Sequence, residues 1–319
     1  MSEPEFRQPD VSVVVPLFNE ADSLPELEEG VRKSLSALGL TYEILFVDDG
    51  SRDGSFGVIQ ALSRQHAGIR AIRFRRNYGK AAALAFGFRA ARGRNIVTMD
   101  ADLQDDPGEI GKLLAKIDEG FDLVSGWKKH RRDPWTKRWP SKFFNWVTSR
   151  VSGIRIHDFN CGLKAYRKDV TDEIAVYGEL HRYLPVLAHW RGFRVGEVEV
   201  HHRERKYGRT KYGLERFVRG FLDLLTVVMI TRYTRSPLHF FGTTGVVLNV
   251  LGAGVNLYLL GLKIQYGNIQ GRTPLLMLGV LLMLVGVQFI SIGLLGEMIA
   301  RIQQSDERDY SVLETLDLE

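Results

Sequence analysis

Between Val11 and Trp127, short apolar runs alternate with longer segments whose apolar residues recur at helical spacing. The short runs predict strands at Ser12–Val15, Glu43–Val47, Ala71–Phe74, Asn95–Met99 and Asp122–Ser125. The longer ones predict helices at Leu24–Leu38, Phe56–Gln65, Ala81–Ala91 and Ile110–Glu119. Strands and helices in strict alternation imply an α/β domain, a mostly parallel sheet covered by helices. Ligands of such sheets bind at the carboxyl ends of the strands. The charged motifs of this chain fall there, just after Val15, Val47, Phe74 and Met99.

Past Trp127 the pattern loosens. A strand is expected at Arg194–Val200, and a helix from Leu214 to about Arg232 with Phe217, Phe221, Leu224, Leu225 and Val228 on one side. Two stretches without Asp, Glu, Lys or Arg follow, residues 236–262 and 273–296, of 27 and 24 residues. Each exceeds the roughly 20 residues that cross a hydrocarbon layer of about 30 Å. Each is also glycine-rich, which lets transmembrane helices approach closely. Two helices are too few to line a transport path, so they read as an anchor. The pattern divides the chain into an α/β domain over 1–213, with an interfacial segment at 134–152, and an amphipathic juxtamembrane helix over 214–235. A two-helix transmembrane hairpin over 236–297 and a tail over 298–319 complete it.

Composition refines this picture in three ways. Hydrophobic residues make up 45% of the 319, which excludes a disordered chain. A single cysteine, Cys161, excludes an intramolecular disulfide framework and a cysteine-rich metal site. The mean hydropathy of -0.12 suits a soluble protein only because it averages a charged first part with the two apolar stretches.

Charge gives orientation and partners. Residues 201–235 hold nine Lys/Arg and three acids, whereas the connecting loop 263–272 holds two bases. The positive-inside rule then places the first domain and the acidic tail in the cytoplasm, and the expected location is the inner (plasma) membrane. The N-terminus opens acidic and polar and reads as no signal peptide. Residues 126–150 carry eight bases and one acid, interleaved with Trp135, Trp139, Phe143, Phe144 and Trp146. Beside membrane spans, such basic and aromatic segments point to an anionic lipid surface rather than to nucleic acid.

Asp100-Ala101-Asp102 closes a predicted strand, and Gln104 follows two residues later. Carboxylates at i and i+2 beside a turn suit a hard divalent cation, Mg²⁺ or Mn²⁺, which commonly bridges to phosphate oxygens. An isolated Asp-x-Asp is more often a solvated acid pair. Pro16-Leu17-Phe18-Asn19-Glu20, Asp48-Asp49-Gly50-Ser51 and Asn77-Tyr78-Gly79-Lys80 close the other strands. Each alone is an ordinary capping or Asp-Gly turn, or an exposed basic loop. Four in order, all at strand ends that converge on one cleft, form a site.

This series, with Asp100-Ala101-Asp102-Leu103-Gln104-Asp105-Asp106-Pro107, resembles family 2 glycosyltransferases of the GT-A fold. The stretch Asp158-Phe159-Asn160-Cys161-Gly162-Leu163-Lys164-Ala165-Tyr166-Arg167 and the two apolar stretches resemble the polyprenyl-phosphate branch, which includes bactoprenol-phosphate glucosyltransferases and dolichol-phosphate mannose synthases. The resemblance covers residues 10–300. It implies that Pro16, Leu17, Asn19, Glu20, Asp48, Ser51, Lys80, Asp100, Ala101 and Asp102 hold a nucleotide sugar. It implies that Asp100, Asp102 and Gln104 hold the metal. The acceptor phosphate would meet Arg131, Arg205 and Lys211, and catalysis would rest on Asp102 with Asp158 as an extra carboxylate that orients sugar or acceptor. The implied reaction moves one hexose, first choice from UDP-glucose, to polyprenyl phosphate with inversion, and the implied assembly is a homotetramer. Other UDP-sugars and GDP-mannose stay open as donors. The Gln-x-x-Arg-Trp motif of processive synthases is absent, since Trp135 stands where Gln would precede Arg138-Trp139. A membrane adaptor with decayed motifs is the rival of another class, and its motif acids would have to be lost. A dinucleotide dehydrogenase is excluded by the missing Gly-x-Gly-x-x-Gly after the first strand. Cys161 reads as a packed small residue, and His181, His189 and His201 read as structural.

Overall fold

The computed structural model describes residues 8–129, 145, 148–150, 152–174, 176, 180–201, 203, 237–269 and 271–303. The chain separates into two compact units, Met1–Leu224 and Leu225–Glu319.

The first unit is built on a seven-stranded sheet in the order β3-β2-β1-β4-β6-β5-β7. The strands are β1 (Val11–Leu17), β2 (Tyr42–Asp48), β3 (Ile69–Arg73), β4 (Asn95–Thr98), β5 (Leu123–Trp127), β6 (Lys164–Arg167) and β7 (Val195–Glu199). Only β6 runs against its neighbours, wedged between β4 and β5. Helices α1 (Leu24–Ala37), α2 (Ser55–Gln65), α3 (Lys80–Ala90) and α4 (Ile110–Asp118) make the crossovers between β1 and β5. Two short helices, α5 (Lys168–Glu173) and α6 (Leu184–Trp190), follow β6.

The reason residues 13–17 of β1 and 44–47 of β2 read as apolar runs is that both faces of the sheet are covered. Val13 and Val15 of β1 and Ile44 and Phe46 of β2 join Leu27, Val31 and Leu113 in one core. The alternate residues Val14, Leu45 and Val47 join Leu84, Phe88 and Tyr166 in the other. Helix α3 lies so close to β1 that a Cβ at Gly87 would overlap Val14 Cγ1. Gly87→Val is therefore expected to cost about 1–3 kcal/mol by overpacking. Urea unfolding followed by circular dichroism should show a lowered midpoint, and an unchanged midpoint would contradict this packing.

The strand order reverses direction between β1 and β4, which both pair in parallel. A crevice forms outside the carboxyl ends of strands at such a switch. The loops after Leu17 and Thr98 flank it.

The second unit holds α7 (Pro237–Tyr266) and α8 (Thr273–Gln303), both long and apolar enough to cross a membrane. They meet through glycine. A Cβ at Gly245 would lie 2.5 Å from the Gly286 carbonyl oxygen, and one at Gly252 would lie 2.6 Å from that of Gly279. Backbone approach of this kind is what small residues allow between transmembrane helices. The expected interfacial segment 134–152 lies largely outside the described residues, as do the expected helix at 214–235 and the acidic tail beyond residue 303.

Candidate active site

The first half of the site joins the loops after β1 and β2. Asp48 ends β2 and is fully buried, and its Oδ1 accepts the Ser51 N–H at 2.8 Å. The Ser51 hydroxyl oxygen accepts the Asn19 N–H at 2.8 Å, and the Asn19 side-chain oxygen accepts the Arg52 N–H at 2.8 Å. Asn19 holds this position at φ 57°, in the left-handed region that a non-glycine residue enters at a cost. The Glu20 N–H donates to the Ser55 hydroxyl at 3.0 Å. Pro16 and Leu17 are the last two residues of β1, paired with Val47 and Asp48. Sequence reasoning thus located Pro16, Leu17, Asn19, Glu20, Asp48 and Ser51 in one connected place. It missed Arg73, whose Nε lies 3.4 Å from Asp48 Oδ2.

Asp49, quoted with its motif but given no role of its own there, is a second. Its two carboxylate oxygens accept the N–H groups of Tyr78 (2.7 Å) and Gly79 (2.9 Å). Burial pushes its carboxyl above the usual range, while those two bonds favour the ionised form. Next to it, Gly50 has φ 77°, and a Cβ there would lie 2.6 Å from the Arg76 backbone. Asp49 and Gly50 therefore fasten the Asn77-Tyr78-Gly79-Lys80 loop to the end of β2.

The second half of the site begins at Lys80, the first residue of α3. Its ammonium is paired directly with Asp100 Oδ1. Burial would raise the Asp100 pKa, but Lys80, with Lys128 and Lys164 nearby, outweighs it and holds the carboxyl at about 2. Asp102 Oδ1 accepts the Gln104 N–H at 3.2 Å across Leu103, a buried residue at φ 58°. The Arg203 N–H donates to the Gln104 carbonyl at 2.9 Å, and its guanidinium reaches Asp106 at 2.8 Å. The start of the basic segment is thereby fastened to the loop that carries Asp102. Ala101 is buried in the core beside them.

Beneath this loop lies a charged layer that the sequence did not announce. Asp105 is buried and pairs with Lys128 at 2.7 Å. Lys164, on the antiparallel strand β6, is also buried, and its ammonium donates to the Cys161 carbonyl. Burial lowers the Lys164 pKa and pushes the Cys161 thiol up to about 12, so Cys161 is no nucleophile. Gly162 lines Asp100 so closely that a Cβ would sit 2.6 Å from its Oδ2. Asp158 is buried, and its Oδ1 accepts the Asn160 N–H at 3.1 Å, which closes the turn before Gly162. Burial, with Lys80 nearby, keeps the His181 imidazole neutral, with its pKa near 3. Arg131, Arg205 and Lys211 lie outside the described residues.

The donor set fits a hard divalent ion. Two carboxylates and one carbonamide on a single loop leave coordination positions for water and phosphate oxygens, as Mg²⁺ and Mn²⁺ prefer. Among the described residues there is no group of three or more His, Cys, Asp or Glu side chains placed to hold a metal, so the remaining ligands of such an ion would come from elsewhere.

The sequence model of glycosyl transferase family 2 matches residues 12–175, which include every motif of this crevice up to Gly162. The chain belongs to that family. The sheet is GT-A-like, and the loops after β1 and β2 and the Asp100–Asp102 loop fall within the matched residues. This glycosyltransferase is 39% identical over 303 residues to a dodecaprenyl-phosphate galacturonate synthase of Rhizobium johnstonii, covering 93% of this chain and 90% of that one. It is 37% identical over 296 residues to an undecaprenyl-phosphate 4-deoxy-4-formamido-L-arabinose transferase of Shewanella sediminis, covering 92% and 87%. Among solved structures it is similar in fold to glucosyl-3-phosphoglycerate synthase of Mycobacterium tuberculosis in complex with Mn²⁺, uridine-diphosphate-glucose and phosphoglyceric acid. That match has a TM-score of 0.53, 18% identity, and covers 70% of this chain and 79% of the other. A mannosyltransferase of Pyrobaculum calidifontis in complex with GDP-Man and Mn²⁺ matches with a TM-score of 0.51 and 18% identity, covering 94% and 76%.

Proposed function

We propose that this glycosyltransferase moves a single sugar from a nucleotide sugar to polyprenyl phosphate at the cytoplasmic face of a membrane. The observation that carries the reading is what the two relatives share. Their names differ in the sugar and agree on a polyprenyl-phosphate acceptor, over more than nine-tenths of this chain. Two helices long enough to span a bilayer suit an acceptor that lives there. UDP-glucose is the first donor to test. UDP-galacturonate, UDP-linked formamido-arabinose and GDP-mannose are the alternatives.

The chemistry asks little of a general base. A phosphate monoester is largely ionised near neutral pH, since its second pKa is about 6. Its oxygen attacks the anomeric carbon, the bond from that carbon to the diphosphate breaks, and the nucleoside diphosphate leaves. The loops at Asn19, Glu20, Asp48 and Ser51 hold the nucleotide, and Lys80 meets the diphosphate. A divalent cation on Asp100, Asp102 and Gln104 would neutralise the charge that grows on the leaving group. Asp158 orients the sugar or the acceptor from beneath.

The acceptor phosphate must be met at headgroup level by basic side chains. Arg203 is fastened to the Gln104 loop, and Arg205 follows it by two residues. Arg131 precedes the aromatic cluster of the 128–150 stretch, and Lys211 lies in the same basic segment as Arg205. Arginine grips phosphate with paired, charge-assisted hydrogen bonds. Arg131→Ala and Arg205→Ala should each weaken use of polyprenyl phosphate by about 10-fold or more. Nucleotide binding should hardly change. Steady-state kinetics in detergent, with each substrate varied and the nucleotide titrated by calorimetry, checks this. Normal acceptor kinetics in both variants, or a loss confined to nucleotide binding, would overturn the acceptor site.

A further inference from the structure

We propose that Lys80 is a counter-ion held on Asp100 until a nucleotide arrives, so that metal and nucleoside diphosphate bind cooperatively through this one side chain. The inference rests on the reading of the crevice as a nucleotide-sugar site and adds an order of events to it.

Lys80 holds Asp100 Oδ1. A divalent ion approaching this carboxylate therefore meets an ammonium already in place, and the two cations repel each other. The pair is open to exchange, because the side chains of Lys80 and Asp100 are 34% and 36% exposed. The other two lysines of the layer are committed elsewhere. Lys128 is bonded to Asp105 and Lys164 to the Cys161 carbonyl, so neither replaces Lys80. Lys80 also opens α3, directly after Gly79 at φ 94°. A diphosphate arriving at that end of the helix offers the ammonium a second anion and draws it off Asp100. The freed carboxylate then takes the metal. Linkage makes the effect reciprocal: metal tightens diphosphate by the factor by which diphosphate tightens metal.

The test is calorimetric titration of the full chain in detergent with Mn²⁺, with and without UDP, for wild type, Lys80→Met, Lys80→Gln and Lys80→Arg. Wild type should bind Mn²⁺ weakly alone and at least about 10-fold more tightly with UDP. Lys80→Met and Lys80→Gln should bind Mn²⁺ alone about 10-fold more tightly than wild type, with a smaller gain from UDP. Lys80→Arg keeps the charge and should resemble wild type. Mn²⁺ affinity unchanged or weakened in both neutral variants, with melting curves that show them folded, would overturn the proposal. So would a Lys80→Arg variant that tightens Mn²⁺ as the neutral ones do. A glycolipid product without this coupling removes only the counter-ion role. The coupling without a glycolipid product removes only the acceptor reading.

Discussion

Asp102→Asn should lower sugar transfer by at least about 100-fold, the loss expected when a charge that stabilises a transition state by several kcal/mol is removed. The substitution keeps the side chain's shape. An asparagine oxygen can still accept the Gln104 N–H that Asp102 Oδ1 accepts at 3.2 Å, so the turn across Leu103 should survive. What disappears is one negative charge from a donor set of two carboxylates and one carbonamide. Excess EDTA should abolish activity of the unmodified protein to the same extent, and Mn²⁺ should restore it. Initial rates with and without chelator, for both proteins, are the measurement. Near-wild-type turnover in Asp102→Asn, or undiminished turnover in EDTA, would remove the divalent ion from the mechanism.

Gly162→Val should have an effect of similar size by a different route. A Cβ at residue 162 would fall 2.6 Å from Asp100 Oδ2 and 2.7 Å from its carboxyl carbon. The backbone of residue 162 has little room to give way, because the Gly162 carbonyl is itself held by the Thr98 hydroxyl at 2.9 Å. The carboxylate must move, and a misplacement near 1 Å at a reacting centre can cost about 100-fold in rate. The loops proposed to hold the nucleotide lie after other strands, so UDP affinity measured without metal should stay within a few-fold of wild type. A turnover number close to wild type would show that Asp100 tolerates displacement and would contradict its assigned place.

The parts of this fold that were legible in the sequence share one physical cause. Strands β1 and β2 are buried on both faces, so their centres appear as runs of Val, Ile, Leu and Phe, and helices α1 and α4 carry their apolar residues on one side. The motifs at the ends of those strands then fall into the crevice by topology alone. Strand β6 was not legible. It has four residues, Lys164-Ala165-Tyr166-Arg167, and its first side chain is a buried ammonium. Hydrophobic patterning counts such a residue against a strand. The same blindness hid Asp49 and Asp105. Their carboxylates look like solvated loop acids in sequence, yet one closes a neighbouring loop through two backbone N–H groups and the other neutralises Lys128 beneath the crevice. Lys80 was placed at the site by its motif, but its partner Asp100 lies 20 residues away and only the fold brings them together.

The central claim is a one-sugar transfer to a lipid phosphate, and its most direct measurement is the mass of the product. Full-length protein in detergent is incubated with Mn²⁺, polyprenyl phosphate and each of UDP-glucose, UDP-galacturonate, UDP-linked formamido-arabinose and GDP-mannose, with non-phosphorylated polyprenol as the control acceptor. Mass spectrometry of the extracted lipid should show, with at least one donor, polyprenyl phosphate increased by the mass of one sugar residue. It should show no longer chain and no product from polyprenol. Repeated addition of sugar, transfer to polyprenol, or unchanged lipid with every donor while the nucleotides bind, would contradict the account.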